Sequence, residues 1–177
     1  MKTGCLYWIT GLSGAGKTTL AQRLYEDLIQ HQKNTVLLDG DVLRRIYQLP
    51  NECYDKAQRY EVAMRHAKIC EMITSQGIDV ICATISLFEN VRKWNRQHNE
   101  KYIEIFLDVN ESTLLQRDKK GIYSGYSAKN VSQVVGKDIP AEFPINPDVT
   151  LKNDGSGGIE PIFLQLKAML IKKCAYK

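Results

Sequence analysis

Long apolar runs are missing from this 177-residue chain. No stretch approaches the roughly 20 residues that span a bilayer. The N-terminus lacks a basic region followed by an apolar segment, so no secretory signal is expected. A strong charge of either sign is missing too. Twenty-four Lys and Arg against 20 Asp and Glu leave a net charge of +4. That is too small and too dispersed for a nucleic-acid surface, but it suits a small anionic substrate. Cysteine pairs at metal-binding spacing are absent. The five cysteines, Cys5, Cys53, Cys70, Cys82 and Cys174, are odd in number. Free core thiols in a reducing compartment are the better reading. These absences argue for a soluble cytoplasmic protein with neither a membrane nor a nucleic-acid partner.

Apolar residues at 44% and charged residues at 25% are ordinary globular values. The length suits one domain, residues 1–177, with a substantial core. The stretch on which the rest turns is Gly11-Leu12-Ser13-Gly14-Ala15-Gly16-Lys17-Thr18. An apolar run, Cys5 to Ile9, precedes it and reads as a buried strand. Thr19 to His31 follows, with Leu20, Leu24 and Leu28 on one helical face. Gly-x4-Gly-Lys-Thr between strand and helix is the Walker A phosphate-cradling loop. Its glycines allow backbone N–H groups to turn around an anion, and the helix N-terminus adds partial positive charge. Residues Gly11, Ser13, Gly14, Ala15, Gly16, Lys17, Thr18 and Thr19 are therefore the expected ATP-binding set. Lys17 can reach the β- and γ-phosphates, and the Thr18 hydroxyl can ligate Mg2+.

Further along, Thr35–Leu38, Ile78–Ala83, Tyr102–Val109 and Val149–Leu151 read as strands. Lys56–Gln76, Val91–His98, Glu111–Arg117 and Glu160–Lys173 read as helices between and after them. Alternation of this kind predicts an α/β fold: a three-layer P-loop NTPase architecture with a parallel β-sheet flanked by helices. Ligands then bind at the carboxyl ends of the strands. Asp118 to Pro147 has no strong period and is too long for an idle connection, so it is expected to be a lid loop (approximately 118–147) over nucleotide. A lid over phosphates needs cations, which Lys119 and Lys120 supply.

A phosphate loop alone does not separate kinases from GTPases, motors or switches. Two further absences narrow it. No apolar run ends in a lone metal-binding Asp followed by Glu, as in ATP hydrolases, and no Asn-Lys-x-Asp guanine-reading element occurs. Instead Asp39 and Asp41 close the second strand, where a carboxylate can accept a hydroxyl proton or orient Mg2+-bound water. Asp41 also stands where it could cap the helix beginning at Val42.

These residues together resemble the adenylyl-sulfate kinase family. The resemblance rests on the phosphate loop, Leu38-Asp39-Gly40-Asp41-x-x-Arg44, Arg59-x-Glu61, Ile85-Ser86-x-Phe88 and Gln116-Arg117-Asp118-x-Lys120-Gly121-Ile122-Tyr123. It implies transfer of the ATP γ-phosphate, with Mg2+, to the ribose 3′-hydroxyl of a small acidic nucleotide, and a homodimer is in keeping with it. By the same resemblance Lys17, Asp41 and Ser86 form the catalytic set, Ser86 standing at the family's phosphoserine position. Asp41, with Thr18, would hold Mg2+ directly or through water. Arg44 and Arg59 would hold the acceptor's phosphate and acidic group, near Asp39 and Ile85. Arg59 can alternatively pair with Asp39, and Ser86 can alternatively cap the helix after the third strand. Arg117 and Lys120 would belong to the basic lid.

The departures bear on the acceptor. Val62 stands where the family has Asn, Val134 where it has the Phe of Phe-Thr-Gly, and Leu87 where it has Pro. Tyr54 would replace a second base-holding aromatic. Replacing an amide by Val removes a group that could discriminate between bases, and losing one ring of a base sandwich forfeits about 1–3 kcal/mol. Adenylyl sulfate is the acceptor that the resemblance implies; a related anhydride such as cytidine diphosphoramidate is the competitor. A non-catalytic nucleotide-binding module and a small-metabolite kinase are the further alternatives.

Overall fold

A computed structural model of the chain describes residues 3–31, 34–48, 55–118, 121–130, 132–155 and 157–173. Five strands form one parallel sheet: β1 (Cys5–Thr10), β2 (Thr35–Asp39), β3 (Asp79–Ala83), β4 (Lys101–Asp108) and β5 (Val149–Lys152). Their order is β2-β3-β1-β4-β5, so β1 is central and the chain leaves it toward both edges. A crevice opens at such a switch point, beyond the strand carboxyl ends.

Every residue of β1 is buried, as expected of a strand covered on both faces. Cys5, Tyr7 and Ile9 pack on one face with Leu20, Leu24 and Leu28 of α1 (Lys17–His31). The helix α7, Glu160–Lys172, adds Phe163, Leu166 and Leu170 to the same cluster. Leu6 and Trp8 turn to the other face. There they meet Ala63, Ala67 and Cys70 of α3 (Lys56–Thr74) and Val91 of α4 (Glu89–His98). The two-residue strand period thus divides one short segment between two cores and produces the three layers.

The remaining helices are short. Helix α2 (Gly40–Ile46) starts directly after β2, α5 (Glu111–Gln116) follows β4, and α6 (Ile122–Ser127) lies inside the aperiodic stretch. That stretch was not expected to contain a helix. Asp118 organises it by accepting from Ile122 N and from both the N and Oγ of Ser124, and those bonds hold its carboxyl below the ordinary range. The aperiodic stretch docks on the body through Glu142. Its backbone N donates to the Leu87 carbonyl at 3.1 Å, and its carboxylate accepts from Glu89 N at 2.8 Å. That carboxylate stands in for a side-chain cap at the start of α4, where Phe88 makes none.

Candidate active site

A cavity of about 470 Å3 opens at the carboxyl end of the sheet. One end is formed by the phosphate loop, which joins β1 to α1. Gly14 and Gly16 have φ of 77° and 95°, values that side chains strongly disfavour. Three carbonyls of the loop are each held by a side chain. Leu12 O accepts from Lys17 Nζ at 2.7 Å, Ser13 O from Tyr123 Oη at 3.0 Å, and Ala15 O from Asn153 Nδ2 at 2.9 Å. The loop's carbonyls are therefore fixed by protein donors. Ser13, Gly14, Gly16, Lys17, Thr18 and Thr19 line the cavity, while Ala15 is fully buried beneath it.

The two carboxylates divide the work differently from the sequence expectation. Asp39, not Asp41, is the N-cap of α2: its Oδ1 accepts from Asp41 N at 2.8 Å and Val42 N at 3.3 Å. The helix starts at Gly40, two residues earlier than a cap at Asp41 would require. The other oxygen, Asp39 Oδ2, accepts from Thr18 Oγ1 at 2.6 Å. Asp41 then lies inside the first turn, exposed and on the cavity wall. Thr18 and Asp39 together offer hard oxygen atoms beside the cradle, which fits Mg2+ held partly by phosphate oxygens and water. Among the described residues no group of three or more His, Cys, Asp or Glu forms a closed metal cage.

The other end of the cavity is lined by Arg44, Arg59, Val62, Ile85 and Ser86. Arg59 Nη2 donates to the Gln133 carbonyl at 2.8 Å, which ties α3 to the aperiodic stretch. Ser86 sits at φ 25°, outside the comfortable range of a residue with a side chain. Its Oγ is buried without a hydrogen-bond partner, so Ser86 does not cap α4. A strained backbone and an orphaned hydroxyl beside a cavity are the usual marks of a functional position.

Val134 departs from the expectation that it borders the acceptor. It does not line the cavity; at 4% exposure it packs with Leu114 and Tyr123 in a separate cluster. The Asp138 carboxylate accepts from both Gln133 N and Val134 N, which turns the backbone so that Val135, Ile139 and Pro140 face the cavity instead. Tyr54 and Lys120 lie outside the described residues. Arg117 lines the phosphate side, donating from Nη2 to Asn153 Oδ1 at 2.9 Å.

Among the lining residues that the sequence reading gave no site role, three bear on the chemistry. Asn153 and Tyr123 brace the loop, and both line the cavity with His66. His66 is buried, its Nδ1 3.5 Å from Thr84 Oγ1 and its ring stacked on Tyr47. Burial first, and then the nearby Arg44 charge, push its pKa down to about 4 against an opposing pull from Asp39. The imidazole is therefore neutral at physiological pH. A signal existed for Asn153: it directly follows the last strand, where ligand groups of such sheets collect.

Comparison with known proteins places this geometry. The family model for adenylylsulphate kinase matches residues 3–152. The chain is 38% identical to a cytidine diphosphoramidate kinase of Campylobacter jejuni over 170 residues, covering 96% of each. It is 35% identical to an adenylyl-sulfate kinase of Deinococcus deserti, over 86% of this chain and 83% of that one. Among solved structures, the Mycobacterium tuberculosis APS kinase in complex with AMPPNP and APS superposes with a TM-score of 0.85. It is 26% identical and matches over 97% of this chain and 99% of that one.

Proposed function

The chain belongs to the adenylylsulphate kinase family, and from that premise we propose that it phosphorylates the ribose 3′-hydroxyl of a small acidic nucleotide with ATP. The observation that carries the reading is one cavity joining Lys17 and Thr18 at one end to Arg44 and Arg59 at the other. Such a site can present a phosphoryl donor to an anionic acceptor in line. The loop N–H groups and Lys17 bind the ATP phosphates, Lys17 leaving the Leu12 carbonyl to do so. Mg2+, held by Thr18 with Asp39 or Asp41, supplies charge neutralisation at the phosphates. Arg44 and Arg59 hold the acceptor's diphosphate-like group.

Asp41 accepts the 3′-hydroxyl proton as the acceptor oxygen bonds to the γ-phosphorus and the bond to the ADP oxygen breaks. Ser86 Oγ, with no protein partner, is free to contact the acceptor, and direct transfer needs no phosphoserine. Residues 118–147, with Arg117 and Tyr123, form a lid that keeps water from the transferring group. A single domain, a cytoplasmic location and assembly as a homodimer complete the proposal.

For the acceptor, the apolar wall at Val62 favours a cytidine diphosphoramidate-type anhydride, since it offers no amide to read adenine. The relative over 96% of both chains carries that activity in its name. Adenylyl sulfate is the second reading, supported by the family match itself. The test is a panel of nucleotide acceptors with ATP and Mg2+, reading ADP. Cytidine diphosphoramidate is expected to be used at least as well as adenylyl sulfate, and Lys17→Ala to keep less than about a tenth of turnover. ADP release with adenylyl sulfate alone would restore the second reading. No ADP with any acceptor would leave a nucleotide-binding module.

A further inference from the structure

The side-chain amide of Asn153 is bonded at both ends to partners that admit one assignment. A carbonyl only accepts and a guanidinium only donates, so Ala15 O fixes Nδ2 and Arg117 Nη2 fixes Oδ1, each at 2.9 Å. The side chain is 4% exposed, and in such surroundings an unmatched partner is costly. Two glycines make room for it. A Cβ on Gly16 would lie 2.8 Å from Asn153 Nδ2, and one on Gly155 2.9 Å from Arg117 Nη2. The backbone of Asn153 is itself pinned, its N donating to Asp108 O at 2.9 Å beside the β4–β5 pairing. The amide therefore stands on the sheet, not on a loose loop.

We propose that Asn153 is a positioning residue for the donor nucleotide, setting the phosphate loop and the Arg117 guanidinium in register with one side chain. This rests on reading the cavity as an ATP site. The sheet supplies the fixed point, the Ala15 carbonyl orients the cradle, and Arg117 is held at the root of the aperiodic stretch. Pre-organisation of this kind lowers the ordering cost of ATP binding and leaves the acceptor end untouched.

The test compares wild type, Asn153→Asp, Asn153→Ser, Arg117→Ala and the Asn153→Ser/Arg117→Ala pair. It measures the Kd of a non-hydrolysable ATP analogue by calorimetry, the KM of each substrate, and Tm. Asn153→Asp keeps an acceptor for Arg117 but turns a carboxylate on the Ala15 carbonyl; Asn153→Ser reaches neither partner and adds no charge. Both are expected to weaken the analogue about tenfold or more, with acceptor KM moving less than about twofold. The double variant is expected to lose less than the product of its singles, because a misplaced Arg117 counts once. Analogue affinity within about twofold of wild type, at a temperature where the variant is folded, would overturn the proposal. So would equal damage to both substrates or strictly multiplicative losses. If Asn153→Asp does not fold, Asn153→Ser carries the comparison. Wild-type protein that binds no analogue would sink the kinase reading itself, a separate failure.

Discussion

The Thr18 hydroxyl donates to Asp39 Oδ2 at 2.6 Å while Asp39 Oδ1 caps α2. One carboxylate therefore joins the phosphate loop to the helix that carries Asp41 and Arg44. Asp39→Asn preserves the capping oxygen but sets an NH2 group against Thr18. We expect kcat to fall by about two orders of magnitude or more, with Tm nearly unchanged. Asp39→Ala should add a capping loss of about 1 kcal/mol, visible as a lower Tm. Equal kinetics in wild type and Asp39→Asn would remove Asp39 from the chemistry.

Because Asp39 is the cap, Asp41 is separable from helix stability. Asp41→Asn should lower kcat by about 10²- to 10⁴-fold, the range for loss of a positioned base. Its thermal midpoint should stay with that of wild type. A shifted midpoint with intact turnover would assign Asp41 to the fold.

The acceptor wall can be rewritten at two of the positions that face it, Val62 and Val135. Val62→Asn with Val135→Phe should move the ratio of kcat/KM values toward adenylyl sulfate by about tenfold. Val134→Phe should do something different: forced into the cluster with Leu114 and Tyr123, it overpacks and costs about 1–3 kcal/mol of stability. If Val134→Phe alone shifted acceptor preference and left Tm unchanged, the placement of that segment would be wrong.

His66 gives a pH dependence with a definite sign. Its folded pKa, about 4, lies below the ordinary value near 6.5. The unfolded chain thus binds the extra proton first, and stability is lost as pH falls from about 6.5 toward 4. The whole contribution is about 3 kcal/mol at most. Carboxylates titrate over part of the same window, so the measurement is the difference in Tm between wild type and His66→Phe across it. The gap should widen against wild type with acidification; a constant gap would mean that His66 does not titrate as placed.

The phosphate loop was legible because its meaning is local: glycines, Lys17 and Thr18 act where they stand in the chain. The five strands were legible for the same reason, each a short apolar run between turn formers. Asp39 and Asp41 were harder to separate, because a cap is decided by where the first helical turn begins. Val134 and Val135 could not be told apart by alternation, since that segment is not a strand; the Asp138 carboxylate decides which of them faces the cavity. Asn153 meets Ala15 across 138 residues and Tyr123 meets Ser13 across 110. Both bonds end on backbone carbonyls, which every residue has, so the strand-end place of Asn153 and the motif place of Tyr123 name the donors but not the partners they reach.

Cys5, Cys70 and Cys82 are buried and free, and burial foremost pushes the Cys5 thiol up to about 12. Thiols kept protonated and out of solvent do not react with alkylating agents until the sheet opens. The molecule therefore carries built-in clocks of its own unfolding. Cys82 lies on β3 and Cys5 on β1, so mass spectrometry of their separate peptides times the opening of two neighbouring strands. If the fold opens as one unit, both peptides should label at the same rate, and saturating ATP should slow both by the same factor. Labelling of Cys82 ahead of Cys5 would show that the β2-β3 edge beneath Asp39 opens while the phosphate loop's own strand stays closed.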